Sequence, residues 1–210
     1  MRFLTILAPA LLAGCAGTAP QYYSLQAPAI ASSDAVRNAD AKYVISVQPV
    51  LIPQELSRPQ IVVASPDTSE VVPLSVALWS GPLEAQIRDA LAASLSSTLN
   101  VLEVGAAKLD GAPVWNIYVD MQRFDSLYNK EVRQEAVWRL VPSGMKPSVQ
   151  ARVCSAQVRV KVEDGMSNLV AGHRRALDIL SSAIAETISG KQQTSPTDGT
   201  LHFRGCARAA

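Results

Sequence analysis

One cysteine near the N-terminus lies in a context that favours covalent modification of its thiol. Cys15 ends the sequence Leu-Ala-Gly-Cys, and the run 3–12 before it carries no charge after the single basic residue Arg2. A basic start, a short apolar core and small residues at the cleavage point form a secretory signal. Leu-Ala-Gly-Cys matches the bacterial lipobox, in which the thiol receives a diacylglyceryl group. We therefore expect residues 1–14 to be a lipoprotein signal peptide and Cys15 to carry the lipid, with a buried structural cysteine as the alternative.

A lipid on Cys15 predicts where the rest of the chain resides. Each buried methylene contributes about 0.8 kcal/mol, so several acyl chains, palmitate among them, give an attachment that does not reverse. Ala16 follows the cysteine, and the absence of Asp there favours export to the outer membrane under enterobacterial sorting rules. We expect a protein anchored in the cell outer membrane that faces the periplasm.

The other two cysteines predict a disulfide. Cys154 and Cys206 remain after lipidation of the first cysteine, and the expected compartment is oxidising. A bond between them would close a loop of about 53 residues and stabilise the fold by roughly 4 kcal/mol. The alternative is two free thiols, one buried and one on a tail.

Metal and cofactor chemistry has no support in the sequence. The two histidines, His173 and His202, belong to no His-Glu-x-x-His motif, and the cysteines form no Cys-x-x-Cys pair. No phosphate-binding or dinucleotide-binding glycine motif is present. His173 falls on the apolar stripe of a predicted helix, so we interpret it as a packed or capping residue. We expect no metal and no cofactor beyond the covalent lipid.

The sequence gives no support to a catalytic site either. The chain has no Gly-x-Ser-x-Gly nucleophile motif. Asp120 and Asp125 lie on or at the end of a predicted strand, where we interpret them as solvated surface charges. The three tryptophans can line a ligand groove, although core packing is the simpler interpretation: Trp79, Trp115 and Trp138. The sequence therefore predicts a protein that is not an enzyme.

The composition fits one domain with an aliphatic core. Of 210 residues, 48% are hydrophobic and only 5% aromatic. Lysine plus arginine number 19 against 18 acidic residues, so no basic excess indicates nucleic-acid binding. Residues 15–42 are rich in Ala, Ser and Pro and predict a lipidated tether, with a possible short strand at 22–25. Residues 43–190 form the predicted domain, and 191–210 a C-terminal tail.

Hydrophobic periodicity predicts the elements of that domain. Alternating runs at 43–50, 60–64 and 70–74 predict strands, the last two as a hairpin. Apolar residues every three or four positions predict helices from residue 83 to about 100 and from 167 to 189. Three long alternating runs lie between them: 114–124, 130–141 and 151–162. The order strands, helix, three strands, helix predicts an α+β fold with both helices on one face of an antiparallel or mixed sheet.

Several of these segments together resemble a known family. Tyr22-Tyr23-Ser24-Leu25 follows the lipobox, the run 47–61 contains Val-Gln-Pro-Val-Leu-Ile-Pro-Gln-Glu-Leu-Ser-Arg-Pro, and 78–83 reads Leu-Trp-Ser-Gly-Pro-Leu. Val119 through Phe124, Trp138-Arg139-Leu140 and the run 184–188 continue the order. In this order and spacing the chain resembles the PqiC family, the auxiliary lipoproteins of ABC-type and MCE-type transport systems, over roughly residues 12–190.

The resemblance implies a non-catalytic partner in intermembrane lipid transport. Members of the family work with a PqiB-like MCE-domain protein that forms a tunnel between the two membranes and supports envelope integrity. A homo-oligomer around the tunnel end is an arrangement that the resemblance leaves open. The alternatives are a periplasmic lipid-binding carrier and an envelope hydrolase, the latter needing a reactive serine or carboxylate pair.

Overall fold

The computed structural model describes residues 18–26, 41–65, 68, 70–105 and 111–209. The predicted signal peptide, Cys15 and most of the predicted tether lie outside these residues. No helix in the described part of the chain is both long enough and apolar enough to cross a bilayer.

The described residues contain eight strands and two α-helices. The first four strands are β1 (Gln21–Tyr23), β2 (Val44–Val47), β3 (Gln60–Ala64) and β4 (Val71–Trp79). Helix α1 (Leu83–Leu99) is followed by β5 (Val114–Leu127), β6 (Glu131–Ser143) and β7 (Arg152–Lys161). The described chain ends with helix α2 (Met166–Ser189) and strand β8 (Thr200–Arg208).

All the strands belong to one mixed sheet. Its order is β1-β4-β3-β5-β6-β7-β8, and β2 pairs in parallel with the first part of β5. Strands β5 to β8 are antiparallel neighbours, and β3 and β4 form the predicted hairpin. The predicted α+β class with a mixed sheet is confirmed, as is the element order as far as α2.

One apolar core lies between the helices and the sheet. The inward residues of β5 and β6, such as Ile117, Met121 and Leu140, are fully buried, as the alternation predicts. Leucine and isoleucine residues of α1 and α2 belong to the same core cluster, in which α2 packs on β6 and β7 and α1 packs on α2. Gly172 allows α2 to approach closely, since a Cβ there would lie 2.3 Å from a methyl group of Val162.

The C-terminal segment differs from the predicted tail. Residues 200–208 form β8, which pairs antiparallel with β7 and extends the sheet beyond residue 190. Leu201 and Phe203 pack against the core. Cys154 and Cys206 are register partners and form a disulfide, with their Cα atoms 4.1 Å apart. The apolar alternation of this strand is short and interrupted by a register shift, which explains why its sequence resembles a polar tail.

The short strand predicted near the N-terminus is present as β1. It pairs in parallel with the end of β4, Tyr22 opposite Leu78. The segment that follows is held by Gln86 of α1, whose side-chain oxygen accepts a hydrogen bond from the Leu25 amide at 2.9 Å. Leu25 is fully buried. The N-terminal segment therefore belongs to the domain rather than to the tether.

Candidate ligand-binding cleft

A cleft opens at the end of the domain where the last turn of α2 meets the start of β5 and the end of β6. Its volume is about 710 Å³. Trp115 and Leu140 contribute to it from the sheet, Met145 and Val149 from the loop between β6 and β7, and Ile188 from α2. All five belong to the core or pack against it. The walls of the cleft are therefore largely apolar.

Local backbone conformation brings the loop between β6 and β7 to the cleft. Gly144 has φ +65°, and a Cβ at this position would lie 3.3 Å from the carbonyl oxygen of Ala112. Glycine adopts this left-handed conformation without steric cost. A turn follows, in which the Val149 amide donates to the Lys146 carbonyl oxygen at 2.9 Å. These two features place Met145 and Val149 against the core.

Four positively charged side chains line the same cleft: Lys42, Lys146, Arg152 and Arg208. No aspartate or glutamate is among the residues that line it. None of the four cations forms an ion pair with a described carboxylate. Arg152 and Arg208 are also register partners across β7 and β8. Like charges opposite each other in a sheet are destabilising, so a bound anion would offset this repulsion.

The C-terminus of α2 offsets only part of this charge. The helix ends at Gly190 in the left-handed conformation, and the Lys191 amide donates to the Glu186 carbonyl oxygen at 2.9 Å. A helix C-terminus carries about half a negative charge. Four cations exceed that by a wide margin, and the cleft retains a net positive potential.

Tyr43 adds a polar group to the wall of the cleft. Partial burial raises the pKa of Tyr43 above its ordinary value of 10.0. The phenol therefore stays protonated at neutral pH and retains a hydrogen to donate to an anionic oxygen.

Apolar walls with a positive rim suit an amphiphile that has an anionic head group. The volume lies within the roughly 300–1,000 Å³ typical of small-molecule sites. A neighbouring depression of about 450 Å³ shares Arg152, Thr187 and Gly190 with the cleft. The lining residues provide electrostatic attraction for an anion and apolar contact for a hydrocarbon chain. Such a lining suits ligand binding.

A serine–histidine pair exists elsewhere, but its proton lies on the wrong nitrogen for a nucleophile and base. His173 Nε2 is 2.8 Å from Ser126 Oγ. The side-chain amide nitrogen of Gln134 donates to the His173 carbonyl oxygen at 3.0 Å and lies 3.2 Å from His173 Nδ1. This assigns Nδ1 as the acceptor and Nε2–H as the donor to Ser126. His173 therefore cannot accept a proton from Ser126 in this arrangement.

Burial explains the rest of the environment of His173. Its ring stacks on Phe124 with centroids 4.0 Å apart and meets Trp79 edge-on at 6.4 Å. The side chain is fully buried, and this desolvation lowers the pKa of His173 to about 3. The prediction that His173 is a packed residue is confirmed.

The structure does not bring the other candidate residues together into a site. Asp120 and Asp125 both lie on β5, and Asp125 pairs with Arg123 at 2.8 Å. Trp79 and Trp138 are core residues, whereas Trp115 lines the cleft. No cluster of three potential metal-ligating side chains occurs among the described residues. The lipidation prediction for Cys15 falls outside the described residues.

Sequence reasoning did not identify the cleft. Its cations come from four separate segments, and none of them belongs to a recognisable motif. The nearest signal is the loop sequence Gly-Met-Lys-Pro-Ser-Val at 144–149, where two apolar residues flank a lysine, a proline and a serine. That pattern does not reveal that Lys42 and Arg208 lie nearby.

The chain belongs to a class of transport auxiliary lipoproteins. The sequence profile of the ABC-type transport auxiliary lipoprotein component family matches residues 23–185. The chain therefore belongs to this family. It is 26% identical over 143 residues to the intermembrane transport lipoprotein PqiC of Escherichia coli K12, covering 68% of this chain and 75% of that protein. The PqiC protein of Shigella flexneri matches with the same values.

Solved structures show the same fold. A crystal structure of an uncharacterized protein superimposes with a TM-score of 0.60 at 21% identity, over 81% of this chain and 99% of that one. A protein from Xanthomonas campestris gives a TM-score of 0.56 at 16% identity, over 82% of this chain and 95% of the other. At these identities the likeness establishes the fold alone.

Proposed function

We propose that this protein is a non-catalytic auxiliary subunit of an intermembrane lipid transport system, anchored by a lipid on Cys15 in the outer membrane and facing the periplasm. The observation that carries the proposal is the family match across residues 23–185. The Leu-Ala-Gly-Cys motif supports the anchor, and the similarity to PqiC supports an intermembrane transport role. The orientation of the Ser126–His173 pair gives no support to a hydrolase.

The partner that fits this role is a PqiB-like MCE-domain protein. A lipid anchor fixes the domain at one bilayer, and sheet edges and faces not covered by helices offer surface for a partner. One such face carries Tyr118 beneath the Arg139 guanidinium, which lies 4.6 Å from the ring centroid. On this proposal the protein holds the far end of the partner's tunnel at the outer membrane and supports envelope integrity.

The experiment that tests this role is a mild-detergent pull-down of the full-length, lipidated protein from its own envelope, followed by mass spectrometry. We expect an MCE-domain protein in stoichiometric amount. The Cys15→Ser variant serves as the matched control, because it removes the anchor and leaves every described residue unchanged. This variant should be released from the membrane while folded and should fail to complement a deletion strain. Full complementation by it would contradict the anchor, and absence of an MCE-domain protein would contradict the partner.

The cleft favours a second candidate function, that of a lipid-binding carrier. Its apolar walls and four cations fit one class of ligand, a phospholipid with an anionic head group. In this proposal the acyl chain contacts Trp115, Met145 and Ile188, and the phosphate lies between Arg152 and Arg208. This role is compatible with membership in a transport complex, since a subunit can hold lipid as well as a partner.

Charge reversal at the cleft tests the carrier role. We expect the double variant Arg152→Glu/Arg208→Glu to lose phosphatidylglycerol adducts in native mass spectrometry of the full-length protein. Arg159→Glu is the matched control, because Arg159 is an exposed arginine on the same strand outside the cleft. It should retain the adducts. Equal adduct formation by both variants, or equal binding of phosphatidylcholine and phosphatidylglycerol by the unaltered protein, would exclude this head-group site.

A further inference from the structure

One edge of the sheet exposes four large hydrophobic side chains. Tyr22 of β1 is 65% exposed, and three valines of β4 are 61%, 42% and 40% exposed: Val71, Val72 and Val76. We call these four residues the edge strip. Strand β1 covers only positions 77–79 of β4. Along Val71–Val76 the described part of the chain therefore supplies no strand on the outer side of β4.

The segments that contain the edge strip carry no charged residues. The sequence from Val71 to Leu83 contains no charged residue, and neither does 18–26. Glu70, exposed immediately before β4, marks the limit of this neutral region. Strands exposed at a sheet edge commonly carry charged residues that oppose pairing with other chains. A neutral edge with a tyrosine and valines has instead the composition of a surface that meets the lipid interface.

Chain direction places the strip close to the anchor. Because β1 and β4 are parallel, the chain before Gln21 leads back toward the Val71 end of β4. Only a few residues separate Cys15 from Gln21, and a fully extended chain between them spans at most about 20 Å. Val72 lies about 17 Å from Ala77 along its strand. The chain is therefore short enough to hold the anchor at the Val71 end of β4, beside the strip.

We propose that the edge strip lies on the bilayer that holds the lipid of Cys15, so that the domain rests edge-on against the membrane. The inference depends on the proposed lipid anchor and adds to it an orientation and a contact surface. Tyr22 provides an aromatic ring with a polar hydroxyl at the head-group level, and the valines contact the acyl boundary. A second copy of the chain on this edge is an alternative that the test distinguishes.

Tryptophan reporters in the full-length, lipidated protein test this contact. The native tryptophans are buried, so a Tyr22→Trp variant adds one exposed indole. In phosphatidylcholine vesicles that contain dibrominated phosphatidylcholine, Trp at position 22 should lose most of its emission. Tyr118→Trp is the matched control, since Tyr118 is 38% exposed on β5 away from the strip. Its emission should be unchanged by the brominated lipid.

The outcomes separate this proposal from the proposed function. Protein that fails to float with the vesicles overturns the anchor and the contact together. Protein that floats but shows equal, weak quenching at both positions overturns the contact alone. A blue-shifted but unquenched Trp at position 22, dependent on protein concentration, assigns the edge to a second copy and also overturns it. A Val76→Trp variant gives an independent reporter if the change at Tyr22 disturbs β1.

Discussion

The ring of His173 illustrates how a single polar side chain can be held inside an aliphatic core. Gln134 fixes its tautomer, Ser126 accepts its Nε2–H, and Phe124 covers one face. The neutral ring thus keeps both nitrogens in hydrogen bonds, as buried polar groups require. Protonation would place a charge in this desolvated site, which is why burial lowers the pKa to about 3.

This pKa predicts that acid destabilises the fold through His173. Between pH 6.5 and 3 the unfolded chain binds a proton at this residue and the folded chain does not, so the stabilisation present above pH 6.5 is lost as the pH falls. As the pH falls, the unfolding free energy of the wild type should decrease more steeply than that of His173→Gln. The two slopes should differ by about 1.4 kcal/mol per pH unit. Denaturant unfolding at several pH values measures both slopes.

The exposed histidine provides the control for this measurement. His202 lies on β8 at the surface. His202→Gln replaces an exposed histidine and serves as the reference variant for the two slopes. A His173→Gln variant with an unchanged slope would show that the buried ring does not couple folding to pH.

At the scale of elements, β8 is docked by close contact as well as by the disulfide. A Cβ on Gly199 would lie 2.7 Å from the Ile179 Cδ1 atom of α2 and 3.0 Å from the Arg159 carbonyl oxygen. The backbone oxygen cannot move away without disturbing β7. The glycine immediately before β8 therefore determines how closely this strand approaches the helix.

Gly199→Ala should weaken this docking. Overpacking of this kind costs about 1–3 kcal/mol, and the midpoint of denaturant unfolding should fall accordingly. Gly81→Ala is the matched control, because a Cβ on Gly81 meets no atom within 4 Å. Equal stability of the two variants would indicate that the segment before β8 adjusts without cost.

Periodicity was sufficient to predict the central elements and insufficient for the edge and the cleft. Alternation identifies β5, β6 and β7 because one face of each is buried by helices, and the stripes of α1 and α2 mark the same burial. Alternation does not predict strand β8, because as an edge strand it buries few side chains. Its pairing with β7 also shifts register between Ser155 and Ala156. Periodicity does not predict the cleft, because only tertiary packing brings Lys42 and Arg208 together.

At the scale of the whole molecule, the long strand β5 separates the cleft from the edge strip. Trp115, near its start, lines the cleft, and Leu127, at its end, pairs with the β3–β4 hairpin through Ala64. The distance between these two residues along the strand is roughly 40 Å. The edge strip starts on the hairpin, since Val71 pairs with Ala64. If the strip rests on the bilayer as proposed, the cleft opens at the end of the domain that lies away from the membrane.

The bond between Cys154 and Cys206 adds a covalent link beside the cleft. Arg208 contributes to the cleft from the end of β8, only two positions beyond the disulfide. Thiols remain reduced in the cytosol and oxidise after export. On the proposed export of this chain, the disulfide forms only after translocation, so the end of β8 that carries Arg208 gains a covalent link in addition to its pairing with β7 only in that compartment.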